Sequence, residues 1–400
     1  MITRLGLNRN LVLLLTVLVL IGTGEEMWMR FLPRYLESLG ATTFIIGLFD
    51  ALQTLLGAVY AYPGGVMVDR WGHRRALVAF TGVSVLGYAV AAAIPHWAAV
   101  LAAMFLFLAW TDFSLPATFS MVAATLPADR HTMGIGMQSM IKRIPILVGP
   151  VLGGWLIDRY GAPGGVRLGL SASILLGLAA ILVQRRLDVA GGGAPPRAAT
   201  LWATLRGFDG GLRWLLWSDI LIRFCERIPH AWVVIYAMGQ VGISGTQVGI
   251  LITVEMAVAM ACYLPVAHFA DRFGREPFVI ATFVFFTLFP LALLVAGSFS
   301  FLVMAFVIRG LKEFGEPPRK ALILSYAPAE ARGTTVGAYY LVRDTIVSVG
   351  SFLGAALWKL GPRANFWGAA GAGALGTILY VATLKSSTRS DPAAGPFSRD

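Results

Sequence analysis

The sequence predicts an all-α polytopic membrane protein with twelve transmembrane helices in two pseudo-symmetric six-helix bundles. Three observations support this fold class. Of the 400 residues, 57% are apolar and only 13% are charged, whereas a soluble domain carries about 25% charged residues. The apolar residues fall into stretches of the roughly 20 residues that cross a bilayer. The second half of the chain also repeats features of the first half at offsets of 201 and 202 residues.

Twelve apolar stretches are long enough to span a membrane. They lie near residues 10–32, 43–68, 75–95, 98–124, 134–158, 165–185, 213–239, 246–270, 277–297, 299–326, 333–358 and 363–384. The first resembles a secretory signal peptide, but no Ala-x-Ala-like cleavage site follows it, so we expect an uncleaved helix. The predicted domains are a first bundle at 1–186, a cytoplasmic linker with a short amphipathic helix at 187–212, a second bundle at 213–386 and a polar tail at 387–400.

The cations of the loops predict the orientation. If both termini lie inside, only five of the arginines and lysines in the loops are on the outer side, namely Arg34, Arg159, Arg167, Lys359 and Arg363. Lysine and arginine concentrate on the cytoplasmic side of membrane proteins. The sequence therefore predicts a multi-pass protein of the inner (plasma) membrane with both termini in the cytoplasm.

Composition and motifs argue against several other functions. The net charge of +11 is expected from cytoplasmic loops, because no basic soluble surface remains that would bind a nucleic acid. The string Gly371-Ala-Gly373-Ala-Leu-Gly376 lies inside the twelfth stretch, where it predicts helix packing and no dinucleotide site. No phosphate-binding loop, nucleophile motif or metal-ligand spacing occurs in the sequence. We expect no enzyme, no cofactor and no metal.

Two related loops occupy corresponding places in the two halves. The first, between the second and third stretches, contains Gly65, Asp69, Arg70, Gly72 and Arg74, and the second repeats Asp271, Arg272 and Gly274 at an offset of 202 residues. The pattern Gly-x-x-x-Asp-Arg-x-Gly-x-Arg-Arg resembles the loop 2–3 motif of the major facilitator superfamily of transporters. The resemblance covers essentially the whole chain and implies the fold of that family, with a binding site between two six-helix halves.

The resemblance also implies a gate at this loop. In the family, the motif aspartate lies near the cytoplasmic start of the eleventh helix and helps keep the inside closed. In this sequence that start is near Gly333-Thr334-Thr335, where the helix dipole favours Asp69. Arg70 and Arg74 are expected to pair across the same interface. The second copy is weaker, because Glu276-Pro277 replaces the arginine pair.

Charged residues interrupt six of the apolar stretches. They include Glu25, Glu26, Arg30, Asp112, Lys142, Arg143, Arg223, Glu226, Lys312, Glu313, Glu316, Arg343 and Asp344. Each costs about 2.5–3.5 kcal/mol inside a bilayer, so we expect them to line water or pair with one another. The family resemblance implies the same, because its first, fourth, seventh and tenth helices line the central cavity.

These charges admit two interpretations. Glu26, Asp112, Glu226 and Glu313 are candidates to carry a coupling proton, and Lys142, Arg143 and Arg343 are candidates to meet an anionic group on the solute. Alternatively, each charge belongs to a structural ion pair, and the spacings Lys312–Glu316 and Arg309–Glu313 suit pairs within one helix.

The fifth stretch contains Gly149, Pro150, Gly153 and Gly154. This element resembles the Gly-Pro-x-x-Gly-Gly motif of proton-coupled drug antiporters in the superfamily. Its glycines allow close helix contact and its proline permits a bend; ordinary small-residue packing is the alternative. The chain departs from those antiporters at Pro145, where a small residue is expected, and in lacking an arginine in the fourth stretch.

The sequence therefore predicts a secondary active transporter that works by alternating access. We expect a monomeric, proton-coupled protein that moves a small polar or amphiphilic organic solute, with export by proton antiport slightly favoured. The alternatives are proton-linked uptake of an organic anion or zwitterion, or a non-transporting sensor or scaffold of the same fold.

Overall fold

The computed structural model describes residues 9–113, 141–187, 201–326 and 332–390. Regular structure in these ranges is entirely helical. In the first half, the helices are α1 (Arg9–Glu26), α2 (Leu32–Ser38), α3 (Thr43–Trp71), α4 (His73–Ala93), α5 (Trp97–Phe107) and α6 (Arg143–Gln184). A short 3₁₀ turn, Met29–Phe31, joins α1 to α2.

The second half continues the series. Its helices are α7 (Leu201–Arg206), α8 (Gly210–Gly239), α9 (Gly245–Phe273), α10 (Glu276–Leu294), α11 (Phe299–Leu311), α12 (Glu316–Tyr326), α13 (Arg332–Leu360) and α14 (Pro362–Ser390). A second 3₁₀ turn, Lys312–Gly315, joins α11 to α12. The predicted amphipathic segment of the linker forms α7, with Trp202 exposed on its surface.

Eight helical segments of the described ranges are long and apolar enough to cross a membrane. One of them, α6, is 42 residues long and covers residues 143–158 of the predicted fifth span and 165–184 of the sixth, with a non-helical residue between them at Gly161 (φ 72°, ψ 165°). A left-handed φ at that point turns the chain without a steric penalty because glycine lacks a Cβ. The helical architecture confirms the predicted fold class, since in lipid a helix satisfies its own backbone hydrogen bonds.

Two predicted helices are interrupted in the structure. The first span stops at Glu26 and resumes at Leu32, and the tenth span changes to a 3₁₀ turn at Lys312. Both breaks fall beside the acidic residues of the span. The 3₁₀ turn changes the angular step between residues, so Arg309 and Glu316 do not lie on one continuous α-helix.

The chain divides into two compact units. One comprises residues 1–197 together with 242–253, and the other comprises residues 198–241 and 254–400. The core of the first is built on α1, where Leu11, Leu14, Leu18 and Ile21 are at most 5% exposed. These positions recur at three- and four-residue steps and so line one helical face. In the second unit, Leu212, Leu215 and Ile222 of α8 pack with Phe283 of α10.

Candidate functional site

A buried carboxylate lies at the end of α1 in the first unit. Glu25 is 8% exposed. Tyr88 of α4 donates a hydrogen bond of 2.6 Å to Glu25 Oε1, and Thr111 donates one of 2.7 Å to Glu25 Oε2. Within the described chain, Glu25 has no ion pair. Its two oxygens are therefore satisfied by hydroxyl groups from two different parts of the first unit.

The break after α1 holds this acid in place. Trp28 lies directly after the helix end, is fully buried, and donates its indole N–H to Ser173 Oγ at 2.8 Å. Tyr88 and Phe107 contact the Trp28 ring edge-on, with centroid distances of 5.8 and 5.1 Å. An indole anchored at both its polar and apolar parts fixes the chain direction at this point.

The glycines of the Gly-Pro-x-x-Gly-Gly element pack against the same break. A Cβ added to Gly153 would lie 1.6 Å from the carbonyl oxygen of Met27, and one added to Gly149 would lie 2.6 Å from Glu26 Cβ. Helix α6 keeps helical backbone angles through Pro150, and Gly161 is its non-helical residue. The element thus sets the close approach of α6 to Glu26 and Met27.

The other predicted charges of the first unit have different surroundings. Arg30 donates to Glu26 Oε2 at 3.0 Å, so in the described chain Glu26 forms an ion pair and Glu25 forms none. Lys142, next to the start of α6, interacts electrostatically with Glu25 and Asp112. Arg143 is the first residue of α6. Residues 114–140 lie outside the described ranges.

The charges of the second unit form a dense ionic network. Its centre is Asp219 of α8, which is 1% exposed. Arg319 donates a hydrogen bond to Asp219 Oδ2, Tyr339 donates another at 3.1 Å, and Arg343 donates a third at 3.3 Å. Arg319 is itself 1% exposed. A buried charge of either sign is stable only with such partners.

The network continues along α8 towards α11. Glu316 accepts from Arg319 at 2.6 Å and from Arg223 at 3.4 Å. Arg223 reaches Glu226 at 2.7 Å, and Lys312 reaches the other oxygen of Glu226 at 2.6 Å. Every carboxylate named here has at least two cationic partners within 4 Å.

Lys312 and Arg309 also share an acid on α9. Glu255 lies 3.2 Å from Arg309 Nε and 3.5 Å from Lys312 Nζ. The pairs Lys312–Glu316 and Arg309–Glu313, which the spacing suggested, are not formed in the described chain. A cavity of about 10 Å³, room for one water, adjoins this cluster and is lined in part by Glu226, His230, Arg309 and Lys312.

Two predicted site residues lie at the margin of the network. Asp344 bonds to its neighbour Arg343 at 2.8 Å, with its side chain 27% exposed. The side chain of Glu313 is half-buried and has no hydrogen bond or ion pair to the described chain. Glu313 therefore differs from Glu226 and Glu316, each of which forms ion pairs with two cations.

The predicted gating residues are described only in part. The surroundings of Gly65, Asp69 and Asp271 lie outside the description, as do those of Gly333 and Thr334, so the proposed pairing of Asp69 stays a prediction. Gly72 and Gly274 adopt φ of 76° and 88°, and both end their helices in tight turns. Arg70, Arg74 and Arg272 are exposed. Arg275 donates to the carbonyl of Ala321 at 3.4 Å.

Sequence reasoning missed several members of these clusters. Asp219 and Arg319 lie near the ends of their predicted spans, and Glu255 lies in the eighth span, which is not one of the six spans named above. Tyr88 and Thr111 carry no charge, so a search for ionisable residues passes over them. A tyrosine or threonine near the middle of an apolar span is a weak signal, and only its contact with Glu25 gives it significance.

The fold and these buried charges define a polytopic helical membrane transporter. The sequence profile of the Major Facilitator Superfamily matches residues 14–225 and 215–399, and the chain belongs to this family. It is 24% identical over 333 residues to an uncharacterized MFS-type transporter of Methanocaldococcus jannaschii, covering 80% of this chain and 83% of that protein. It is 24% identical over 346 residues to multidrug resistance protein MdtH of Aeromonas hydrophila, covering 83% and 82%.

Solved structures agree on the fold. The crystal structure of the nucleoside transporter NupG superposes with a TM-score of 0.76 at 12% identity. The match covers 94% of this chain and 100% of that chain. At such low identity the likeness shows the transporter fold and carries no information on the solute.

Proposed function

We propose that this transporter couples solute movement to protons, works by alternating access, and exports small polar or amphiphilic organic solutes. The observation that carries the proposal is the environment of Glu25. This carboxylate is buried at the end of α1 and is bound by two hydroxyl groups with no ion pair in the described chain. Such a group can exist in two protonation states without breaking an ion pair of the described chain.

The chemistry of these partners suits a proton carrier. An ionised carboxylate in dry surroundings costs several kcal/mol unless a cation neutralises it, and uptake of a proton removes that cost. A hydroxyl group donates to a carboxylate and accepts from a protonated carboxyl. Tyr88 and Thr111 therefore serve both states of Glu25, which a fixed arginine would not do.

The acids of the second unit are less suited to this role. Glu226 is held between Arg223 and Lys312, and Glu316 between Arg319 and Arg223. Protonation of either acid would leave buried cations without their partner, which costs about 3–5 kcal/mol. Glu26 is also paired with a cation, Arg30, so of the two adjacent acids Glu25 suits the role better. Of the acids considered as carriers, Asp112 and Glu313 remain as second sites along a proton path.

The direction and solute class rest on two further observations. Relatives at 23–24% identity are named multidrug resistance proteins. The Gly-Pro-x-x-Gly-Gly element, which resembles that of drug antiporters, packs directly against Glu26 and Met27, next to Glu25 in the chain. Both support export of amphiphilic compounds in exchange for protons.

The test is transport of ethidium into inside-out proteoliposomes driven by a pH gradient. Glu25→Gln should abolish gradient-driven accumulation, because glutamine cannot bind and release a proton, while ethidium-for-ethidium exchange persists. The matched control is Glu26→Gln, which alters the neighbouring acid and should retain gradient-driven transport. Full gradient-driven transport by a folded Glu25→Gln protein contradicts the proposal.

A parallel measurement addresses the alternatives. Proton-linked uptake of an organic anion or zwitterion predicts that the gradient drives solute in the same direction as protons. A non-transporting sensor predicts no solute movement under either gradient, with solute binding retained. Measuring flux with the pH gradient reversed separates export, uptake and sensing in one preparation.

The proposal includes residence in the plasma membrane with both termini in the cytoplasm. The asymmetry of arginine and lysine between loops supports this orientation. A reporter fused after Arg197 should be cytoplasmic, and one inserted after Arg363 should be external. The reverse pattern contradicts the orientation.

A further inference from the structure

The Asp-Arg-x-Gly sequence of the loop 2–3 motif occurs a third time, inside α6. Asp158-Arg159-Tyr160-Gly161 follows the same order as Asp69-Arg70-Trp71-Gly72 and Asp271-Arg272-Phe273-Gly274, with an aromatic residue at the third position of each. The three glycines also share a left-handed conformation, with φ of 72°, 76° and 88°. The turn at Gly361 keeps the glycine, but Trp358 stands in place of the acid.

This third copy is predicted to face the opposite side of the membrane. Three predicted spans, the third, fourth and fifth, separate Gly72 from Gly161. An odd number of crossings places the two turns on opposite faces. With Asp69 in the cytoplasm, Asp158 lies at the outer face.

Asp158 caps the start of α9, which belongs to the same compact unit through residues 242–253. Asp158 Oδ1 accepts from the backbone N–H of Gly245 at 2.6 Å, and Oδ2 accepts from that of Thr246 at 2.8 Å. The Thr246 hydroxyl donates a third hydrogen bond of 2.5 Å to Oδ2. The first N–H groups of a helix have no partner inside the helix, and its dipole favours an anion there.

Asp158 accepts from those N–H groups at the start of α9 that the residues around the helix end do not satisfy. Ser244 Oγ accepts from the N–H of Gln247 at 3.2 Å, and the Gln247 side chain accepts from the N–H of Ser244 at 2.9 Å. This reciprocal arrangement serves the third N–H of α9. The first two N–H groups bind Asp158 instead, so the local sequence of α9 leaves them for a residue 87 and 88 positions earlier.

Below the cap, glycines bring the backbones of α6 and α9 close together along a seam. A Cβ added to Gly154 would lie 2.1 Å from the Gly245 carbonyl oxygen, and one added to Gly249 would lie 2.4 Å from that of Pro150. Farther along, Thr253 donates its hydroxyl to the Leu147 carbonyl at 2.7 Å. Helices that meet through glycine backbones approach closely and can also separate without disengaging side chains.

The position of Asp158 suits a contact that opens. Its side chain is exposed, and water replaces its hydrogen bonds to N–H groups at small net cost. A buried ion pair like Arg319–Asp219 has no such replacement. The cap is the strongest polar contact of the seam and lies at its exposed end.

We propose that Asp158 is an outer gating residue, which stabilises the outside-closed state of the transport cycle by capping α9. The proposal rests on the alternating access of the proposed function and adds a second gate to the one implied at Asp69. Solute reaching the outer face requires the seam between α6 and α9 to open, and the cap must then be released. Asp158 acts through the position of α9, and no contact with the solute is involved.

The test measures opening directly and needs neither a solute nor a pH gradient. In a background with Cys225→Ala and Cys262→Ala, Thr253→Cys places a single reporter thiol in the seam. A membrane-impermeant maleimide applied from outside labels this thiol only when the seam is open. Asp158→Asn keeps the size of the side chain but removes its charge and one acceptor, so labelling should accelerate about three- to tenfold.

Matched variants make the result specific. Arg159→Gln alters the neighbouring exposed residue and should leave the labelling rate unchanged. Thr246→Val removes only the hydroxyl donor and should raise the labelling rate by a smaller factor. If Asp158→Asn fails to fold, this variant tests the proposed gate in its place. Asp69→Asn should not raise the rate, because loss of the predicted inner gate favours the state that is closed outside.

The outcomes separate this gate from proton coupling. Faster labelling in Asp158→Asn, but not in Asp69→Asn, supports the gate even if Glu25 proves not to carry the proton. Equal rates in folded Asp158→Asn and its parent overturn the gate and leave the proton proposal untouched. Faster labelling in both Asp158→Asn and Asp69→Asn would show a general loosening of the helix packing and would also overturn the proposed outer gate.

Discussion

Tyr88 donates a 2.6 Å hydrogen bond to Glu25 across 63 residues of sequence, and the acid has no ion pair in the described chain. The neighbouring acid, Glu26, lies against Arg30. Two adjacent glutamates that are equivalent in the sequence thus have opposite environments, one bound by hydroxyl groups and one by a cation. This difference is the basis on which Glu25 is proposed to carry the coupling proton.

The hydrogen bond from the Tyr88 hydroxyl to Glu25 should contribute to the stability of the protein. Tyr88→Phe removes one of two donors to Glu25 and should lower the free energy of unfolding by about 1.5–3 kcal/mol, the range for a hydrogen bond to a charged group. Tyr35→Phe is the control, because the buried Tyr35 hydroxyl has no hydrogen-bond partner in the described chain. Thermal unfolding in detergent measures both. A loss in Tyr35→Phe as large as that in Tyr88→Phe contradicts the assignment.

Asp219 should be essential to the second unit. Asp219→Asn leaves Arg319 and Arg343 without the charge that faces both, so the expected loss is about 3–5 kcal/mol of stability. Asp344→Asn provides the comparison, because Asp344 is 27% exposed and pairs with Arg343 alone; its loss should stay below about 1 kcal/mol. Folded yield and melting temperature report the difference. Equal losses of stability in the two variants would mean that burial of the aspartate does not determine the effect of removing its charge.

Loss of charge should lower the stability of the protein strongly at Glu226 and very little at Glu313. Glu226→Gln weakens the pairing of Lys312 and Arg223 and should cost about 3 kcal/mol. Glu313→Gln leaves every described ion pair intact and should melt within about 0.5 kcal/mol of the unaltered protein. If Glu313 is a second proton site, gradient-driven flux should nevertheless fall. A strongly destabilised Glu313→Gln protein would show that Glu313 neutralises a cation.

The glycine element should tolerate no side chain at its closest contact. Gly153→Ala places a Cβ 1.6 Å from the Met27 carbonyl oxygen, so α1 and α6 must separate, at a cost of about 1–3 kcal/mol or more. Transport should fall with it, because Glu25 lies two residues before Met27. Gly371→Ala is the control, since nothing lies within 4 Å of its added Cβ; alanine is the better helix former there by up to about 1 kcal/mol. Similar activity in both variants would argue against this packing role.

The sequence by itself determined the class of the protein. A bilayer forces long apolar helices, and the duplicated Asp-Arg-x-Gly loops mark two halves, so helix composition and family followed without knowledge of any contact. The charged residues inside the spans could be recognised individually. Their cost in lipid also predicted that they would pair or line water.

Only the tertiary structure decided which charges pair. Helix spacing suggested Lys312–Glu316, but Lys312 bonds to Glu226, 86 residues away, and a 3₁₀ turn at Lys312–Gly315 breaks the helix that the spacing assumed. The partners of Glu25 and Asp158 likewise come from distant helices. Periodicity specifies the face of a helix on which a residue lies, whereas the helix that this face meets depends on packing among all of them.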